Sequence, residues 1–325
     1  MVSSNLNTSS SFSYKEFRLF GFPEVTKFRP LLALPFSFIY TVILSANSAV
    51  MLVIVLEKSL HTPMYTLIFS LLLFAVVYTT AIIPKMLFSF FGLNEISLAG
   101  CVAQMFTVLN SSLAEAIVLL LMAIDRYLAI SRPLHYQQII IKHLTVHSVI
   151  NGLVRNSFFA LSLVVMTYLV PYCKSNVINH FYCETLMLLG LSCGQFRAEM
   201  IGLLGRIMIP LFDVVIILFS YLKILQAVLR IALGAARYKA LNICITNLAV
   251  FFITYVSGIL HSSFYLPGST TSYTTQNTLS AIYFLFPATI NPFVYGIRME
   301  EIKDNFCKRW RKKKKKGISV KLRGH

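Results

Sequence analysis

An apolar run ends in Leu-Leu-Leu-Met122-Ala-Ile-Asp125-Arg126-Tyr127, and this stretch decides the fold. The run occupies residues 99–124, and a carboxylate and a guanidinium follow it directly. A helix needs about 20 predominantly apolar residues to cross the hydrocarbon core of a bilayer. The stretch is therefore predicted to be a transmembrane helix whose end is marked by the pair Asp125 and Arg126.

Six more apolar runs of similar length lie along the chain, at residues 31–56, 63–91, 144–169, 198–222, 240–264 and 276–296. The chain is 57% hydrophobic and 13% charged, with a mean hydropathy of +0.72. Soluble domains carry about 25% charged residues. Because a soluble protein of this composition would lack the polar surface to cover its core, we predict an all-α membrane protein, a seven-transmembrane helix bundle.

The positive charges predict how the bundle lies in the membrane. Of 29 Lys and Arg residues, 20 fall on the side that also holds the C-terminus, and cytoplasmic loops carry such an excess. We therefore expect an extracellular N-terminus at 1–30, the bundle at 31–296, and a short amphipathic eighth helix with a basic cytoplasmic tail at 297–325. Asn7, in the sequon Asn7-Thr8-Ser9, then lies outside and is a predicted glycosylation site.

The basic tail accounts for much of the net charge of +17, since twelve Lys and Arg residues lie between Arg298 and the C-terminus. Basic residues next to a membrane helix attract anionic lipids by roughly 1 kcal/mol each. The tail is either a solvated segment or a lipid contact, and we expect membrane lipids as partners and no nucleic acid.

The six cysteines include three within residues 173–193 and one, Cys101, at the outer end of span three. Cys101 is placed to pair with a cysteine of that loop, where disulfides persist if the loop is extracellular. No CxxC pair or other metal-ligand spacing is present, and no nucleophile–base set is evident. The sequence predicts neither a metal, a cofactor nor an enzyme.

Three polar side chains in the apolar bundle predict a polar layer. Asn47 and Glu115 each lie ten residues from a charged residue at a span end, and Asn291 precedes Pro292 in span seven. Ionisable and polar groups inside a membrane usually face the bundle interior and mark function. They form either a switching network or simple polar contacts between helices.

The stretch from Met122 to Tyr136 resembles the MAYDRYVAICNPLHY signature of odorant receptors, within the rhodopsin-like G-protein-coupled receptors. Six further motifs resemble those of the family, in order, over about residues 40 to 306. They are Leu60-His-Thr-Pro-Met-Tyr65, Pro84-Lys-Met-Leu87, His180-Phe-Tyr-Cys183-Glu184, Ser220-Tyr221, Lys239-Ala240 with Cys244, and Asn291-Pro292-Phe-Val-Tyr295. The resemblance implies a multi-pass receptor of the plasma membrane that binds an odorant and activates a stimulatory G protein.

The resemblance also implies roles for individual residues. Asp125 and Arg126, followed by Tyr127, would form the ionic pair of the resting state. Tyr221 and Tyr295 would swing inward on activation. Lys239 and the short third inner loop would belong to the G-protein face, and Asn291 and Pro292 would be among the residues that take part in activation. Glu115 matches the acidic residue that such receptors carry in span three. Disulfides Cys101–Cys183 and Cys173–Cys193 are implied as well.

Several positions depart from the family pattern. Ala75 replaces an acidic residue of span two, Ser131 replaces a cysteine and Asn247 a histidine. Span four lacks the usual tryptophan and contains Arg155. These departures leave open a receptor-fold protein with weak or no signalling. A membrane transporter is the other alternative, although the chain shows no paired half-repeats of the kind that transporters often have.

Helix depth predicts where a ligand would bind. Val108 to Leu113 lie 12 to 17 residues before Asp125, and Tyr255 lies 16 residues after Lys239, which is a similar height at 1.5 Å per residue. The predicted lining is mostly apolar and suits a small, mostly apolar molecule. It comprises Val108, Leu109, Ser112, Leu113, Arg206, Ile209, Tyr255, Gly258, Ile259 and Ser262.

Overall fold

A computed structural model of the chain describes residues 13–25, 28–131, 143–193, 211, 214–226, 228, 234–263, 271–298 and 301–304. Its helices are α1 Arg29–Leu56, α2 Pro63–Phe90, α3 Leu98–Ser131, α4 His143–Leu169, the short α5 Thr185–Gly190, α6 Val214–Gln226, α7 Ala235–Ser263 and α8 Tyr273–Arg298. The strands are β1 Glu16–Leu19, β2 Glu95–Ser97 and β3 Val177–Ile178. Residues 301–304 are also helical.

The seven predicted spans correspond to α1–α4 and α6–α8. Five of these helices are long and apolar enough to cross a membrane, and the described parts of α6 and α7 are shorter apolar helices. Proline at the first or second position begins both α1 and α2, where its missing N–H leaves no hydrogen bond unmade. The structure is a seven-transmembrane helix bundle.

The predicted end of span three differs from the observed one. The apolar run stops at residue 124, whereas α3 continues to Ser131 and carries Asp125 and Arg126 inside the helix. Backbone hydrogen bonding does not require apolar side chains, so a helix can run on beyond the hydrocarbon layer. The charged pair therefore has the fixed geometry of a helix and not that of a loop.

The bundle packs around α2, which contacts α1, α3 and α8. Outward surfaces are apolar as well: Phe38 of α1 and Phe158 of α4 are among the most exposed large hydrophobic residues. Helices α3 and α4 pack closely at Gly152, where a Cβ atom would lie only 2.7 Å from Cδ1 of Ile117. Apolar surfaces on both sides of the helices are what a lipid-embedded bundle requires.

A small sheet covers the end of the bundle that holds the disulfides, here called the disulfide end. Its order is β2-β1-β3, with β1 antiparallel to β2 and parallel to β3. Phe17 and Leu19 of β1 are fully buried while Glu16 and Arg18 are exposed, the alternation of a half-buried strand. No strand within residues 1–30 is predicted from the sequence, since an alternation of four residues is too short a signal.

Candidate functional site

The opposite end, here called the Asp125 end, contains the charged pair. Both Nε and Nη2 of Arg126 donate to Oδ2 of Asp125, with Nε at 3.1 Å. Asp125 is 5% exposed, and hydrogen bonds from a guanidinium to a carboxylate are roughly twice as strong as neutral ones. Asp125 and Arg126 thus form an ion pair in this structure.

Tyrosines and a free cysteine surround this pair. Cys244 of α7 is buried and packs with Tyr127 of α3 and Tyr221 of α6. Tyr295 of α8 is fully buried, and its hydroxyl lies 3.9 Å from Sδ of Met122. Residues of α6 and α7 therefore pack beside Tyr127, next to Arg126 in α3, and α8 contacts α3 at Met122. The backbone of Lys239 lies in α7, and its side chain is outside the described residues.

The predicted polar layer lies deeper in the bundle. Asn47 donates through Nδ2 to the carbonyls of Ile43 (2.8 Å) and Ala288 (3.0 Å), which places it against α8 one turn before Asn291. Glu115 is buried in α3, at 5% exposure. The structure thus brings Asn47 to the helix of Asn291 and buries Glu115 within the bundle.

Several polar atoms of this layer have no hydrogen-bond partner among the described residues. They are Oδ1 of Asn47, Oε1 of Glu115 and both amide atoms of Asn291 and Asn247. Buried polar groups that lack partners are costly, by about 1–3 kcal/mol each. The layer can gain several hydrogen bonds if the helices or internal water rearrange, which is what a switching element requires. Sequence reasoning noted Asn247 only as a departure from the family.

Proline and alanine shape the same layer. Pro292, within α8, is buried beside Asn291 and cannot donate a backbone hydrogen bond. Ala75 is fully buried in α2 and packs in an apolar cluster with Tyr78. Where the family pattern has a carboxylate, this chain therefore has a methyl group, and Glu115 is the acidic residue of the layer.

The predicted ligand-binding residues of α3 are buried or half-buried. Val108 is buried in a cluster with the aromatic residues of the disulfide end, and Leu113 is 9% exposed. Leu109 is half-buried. Ser112 donates to the carbonyl of Val108 at 2.9 Å, so its hydroxyl proton is used within the helix and its oxygen remains an acceptor.

The predicted ligand-binding residues of α7 divide into two groups. Tyr255 is buried, with its ring centroid 4.5 Å from that of Phe251. Gly258 faces α8, because a Cβ there would lie 3.2 Å from the ring of Tyr283. Ile259 and Ser262 belong to α7, but their side chains, like Arg206 and Ile209, lie outside the described residues.

Sequence reasoning missed an aromatic cluster between α7, α8 and the loop before α5. His261 stacks on Tyr283 at 4.9 Å, and Tyr182 meets Phe284 edge-on at 5.3 Å. His180 accepts or donates a hydrogen bond with Ser280 at 3.0 Å. The His180-Phe-Tyr-Cys-Glu motif pointed to one half of this cluster, while nothing in the sequence marked its α7 and α8 half.

The disulfide end is tied together covalently and by hydrogen bonds. Cys101 is bonded to Cys183 and Cys173 to Cys193, with Cα atoms 5.4 and 5.5 Å apart. Gln104 accepts from the N–H of Cys183 at 2.9 Å and donates to the carbonyl of Ala81. The two pairings are those that the resemblance implies.

The described loop is also anchored to α8 and to α4. The backbone N–H of Phe181 donates to Oδ1 of Asn277 at 2.9 Å. Tyr172 donates its hydroxyl to the carbonyl of Thr167, and burial raises the pKa of Tyr172 above its ordinary value. The loop after α4 is therefore a packed part of the fold.

Comparison with solved structures gives the fold. Squid rhodopsin is similar in structure, with a TM-score of 0.72 over 88% of this chain and 86% of its own chain, at 15% identity. That likeness shows the fold of the rhodopsin-like receptors. Among the described residues, no group of three His, Cys, Asp or Glu side chains forms a metal site.

Comparison with sequences gives the family. The profile of the olfactory receptor family matches residues 36–313. Human olfactory receptor 52N2 is 34% identical over 307 residues, covering 93% of this chain and 95% of the relative. Human olfactory receptor 52K1 is 32% identical over 290 residues, covering 89% and 92%. This chain belongs to the olfactory receptor family and is a multi-pass, odorant-type G-protein-coupled receptor.

Proposed function

We propose that this receptor binds a small, mostly apolar molecule between α3, α6 and α7 and activates a stimulatory G protein, raising cyclic AMP. The observation that carries the proposal is the Arg126–Asp125 pair. The residue after Arg126, Tyr127, packs with Tyr221 of α6 and Cys244 of α7. Release of the pair would free a guanidinium among helices that can move apart.

A cyclic-AMP assay tests the proposal. Cells expressing the receptor are exposed to a broad panel of volatile compounds, and we expect at least one to raise cyclic AMP. Arg126→Ala should abolish the response and leave surface expression largely intact, because the pair lies at the end of α3 and not in its core. Lys303→Ala, a change at an exposed position, is the matched control. A normal response in Arg126→Ala would refute the proposed mechanism.

The ligand site is supported by the apolar, buried character of Val108, Leu113 and Tyr255. Leu113→Phe should fill part of the proposed ligand site and lower agonist potency tenfold or more. Leu161→Phe adds the same volume to the outward surface of α4, where Leu161 is 52% exposed, and should leave potency unchanged. Equal effects from the two substitutions would place the ligand elsewhere.

We propose a plasma-membrane location with the disulfide end outside. Its support is the pair of disulfides, which persist in oxidising compartments, together with the basic residues of the opposite end. A sequon at Asn7 should then carry a glycan, and Asn7→Gln should abolish the mass shift seen on glycosidase treatment. An antibody to an N-terminal tag that stains only permeabilised cells would contradict this orientation.

A second candidate is a receptor-fold protein with weak or no signalling, and Ala75 is the observation that favours it. Ala75 stands where the family pattern has an acidic residue, so the polar layer of this chain lacks that carboxylate. Ala75 is fully buried. In that case ligand binding, measured by thermal stabilisation of the purified receptor, would occur without any cyclic-AMP response.

A further inference from the structure

Arg155 places a positive charge on the outward surface of α4. It is exposed, whereas the other Lys, Arg, Asp and Glu residues of α1–α4 are buried or half-buried, namely Arg29, Lys85, Glu115, Asp125 and Arg126. Val154 and Phe158 on either side of it are 64% and 76% exposed. Charged side chains within membrane spans almost always face the bundle interior, because hydrocarbon does not solvate them. Arg155 instead faces the lipid side of the bundle.

Arg155 also lies deep within its helix. It follows the first residue of α4 by 12 positions and precedes the last by 14, which is about 18 and 21 Å at 1.5 Å per residue. The hydrocarbon core of a bilayer is about 30 Å thick, so a helix of this length extends beyond it by only about 9 Å. The backbone of Arg155 therefore lies about 9 Å or more inside the hydrocarbon, wherever α4 sits along the membrane normal.

The described contacts of Arg155 do not neutralise its charge. Its Nε and Nη2 atoms each lie 3.4 Å from Oδ1 of Asn156. These hydrogen bonds are long, and an amide oxygen carries no net charge. The ion pairs among the described residues are formed by other side chains. A charged group in hydrocarbon is stable only with a partner, so a negative group from outside the protein is expected at this surface.

The packing of α4 on α3 shows which way the helix runs. A Cβ on Gly152 would meet the side chain of Ile117. Ser157, further along α4, donates to Oδ1 of Asn110 at 3.0 Å, which is nearer the start of α3. The two helices are therefore antiparallel, and α4 begins at the Asp125 end.

Polar side chains continue from Arg155 towards that end. Asn151 and His147 lie one and two turns before Arg155 on the same face of α4, and both are exposed. Cα–Cβ bonds tilt towards the N-terminus of a helix, and long Arg side chains extend their charged heads towards the membrane interface. An extended Arg155 side chain would thus pass beside Asn151 towards the headgroups of the nearer leaflet.

We propose that Arg155 and Asn151 bind the phosphate of an anionic phospholipid in the leaflet at the Asp125 end. A guanidinium can hold a phosphate with two parallel N–H···O bonds, and the amide of Asn151 adds a donor one turn nearer the headgroups. The acyl chains would lie against Val154, Phe158 and Leu161, each more than half exposed. A free phosphate ion would have to cross hydrocarbon to reach Arg155, so a lipid is the fitting source. This inference does not depend on the proposed signalling.

Quenching of tryptophan fluorescence by brominated lipids tests which lipid occupies this face. The chain has one tryptophan, so Trp310→Phe removes it, and Phe158→Trp then places a reporter one turn from Arg155. The full-length receptor is reconstituted, one copy per nanodisc, in equimolar phosphatidylserine and phosphatidylcholine, with bromine on the acyl chains of one lipid or the other. We expect phosphatidylserine to be preferred beside residue 158 by threefold or more.

Matched variants separate Arg155 from other sources of positive charge. Arg155→Leu keeps an outward apolar surface and should reduce the preference to about that of a random mixture. Arg155→Lys keeps the charge but not the two-pronged geometry, so an intermediate preference is expected. Phe38→Trp, at a 70% exposed position of α1, is the control reporter. It measures any general enrichment of anionic lipid by the basic tail and should not respond to Arg155→Leu.

Three results would overturn the proposal. The first is equal occupancy of the two lipids beside residue 158, which would leave Arg155 to an acidic group of another membrane protein or a second copy, both excluded from these nanodiscs. The second is a preference that Arg155→Leu leaves unchanged. The third is a preference that appears only in Asp213→Asn, which would assign Arg155 to the carboxylate in predicted span five. The Tm of each sample is the second measurement: phosphatidylserine should raise it in the wild type but not in Arg155→Leu.

Discussion

The two ends of the bundle are held together by different kinds of contact. At the disulfide end, two covalent bonds, a three-stranded sheet and side-chain hydrogen bonds join the N-terminal segment, the loop before α5 and the ends of α2, α3 and α8. At the Asp125 end, the described polar contacts include an ion pair between neighbours in α3 and the Tyr65–Glu301 bond.

This difference suggests how one bundle can be stable at one end and able to change conformation at the other. The disulfides and the strand pairing of the disulfide end hold one arrangement, because their bonds cannot change partners singly. At the Asp125 end the described polar contacts include an ion pair and a hydrogen bond, and in the polar layer the amide atoms of Asn247 and Asn291 have no hydrogen-bond partner among the described residues. A ligand needs only a few kcal/mol of differential affinity to shift a two-state equilibrium, so motion is expected at this polar layer, where a rearrangement can add hydrogen bonds.

The largest expected effect is at the disulfide end. Cys101→Ser should lower surface expression more than tenfold, because the Cys101–Cys183 bond spans 82 residues and closing such a loop is worth about 4.5 kcal/mol in the chain-entropy description. Cys244→Ser, at a buried free cysteine of the Asp125 end, is the comparison. Flow cytometry of tagged receptor measures both, and equal losses would erase the contrast between the ends.

A smaller effect is expected from glycine packing at the same end. Gly21→Ala would place a Cβ 2.7 Å from that of Phe181 and 2.8 Å from its Cα, and overpacking of this kind costs about 1–3 kcal/mol. Gly190→Ala, where no atom lies within 4 Å of the new methyl group, should be neutral. The Tm of the purified receptor is the measurement. No difference between the two variants would mean that the segment before α1 packs loosely.

In the polar layer, Ala75→Asp should make basal signalling sensitive to sodium. Glu115 is buried, and its Oε1 has no hydrogen-bond partner in the part of the chain that the structure describes; a second carboxylate would complete an acidic pair able to hold a cation. Bound cation would favour the resting state, so basal cyclic AMP should fall about two- to fivefold as sodium replaces a large organic cation at constant ionic strength. The wild type should respond weakly. Strong sodium inhibition of the wild type would show that Glu115 suffices.

The smallest effect is expected for a surface ion pair. Arg18 and Glu95 join β1 to β2 at 3.2 Å, but their side chains are 57% and 71% exposed, and exposed pairs contribute about 0–1 kcal/mol. Arg18→Ala should shift the Tm by no more than a degree or two. A loss as large as that of Gly21→Ala would show that charge, and not packing, holds the N-terminal strand.

Sequence reasoning predicted the spans well because membrane helices carry long apolar runs. It identified Asp125, Arg126 and the cysteines through motifs, and the structure places the cysteines at bonding distance. It missed β1, whose partners β2 and β3 come from loops about 80 and 160 positions further along. A four-residue strand is specified mainly by the partners it meets, and these are brought together only by folding.

The direction in which a residue faces within its helix could not be predicted from the sequence either. Gly258 is level with the predicted pocket, yet it faces Tyr283 of α8. In a soluble helix the apolar stripe identifies the inward face. In a membrane helix the lipid-facing side is as apolar as the core, so depth can be read from the sequence but rotation cannot.

The sequence by itself determined that this chain crosses a membrane seven times, which family it resembles and where its charged and sulfur chemistry lies, since these depend on composition and local order. The tertiary structure alone decided that Tyr65 meets Glu301, that Asn47 meets the carbonyl of Ala288 and that β1 covers the disulfide end. These contacts join residues far apart in the chain. Their partners are chosen by how the helices pack, and that choice is a property of the whole bundle.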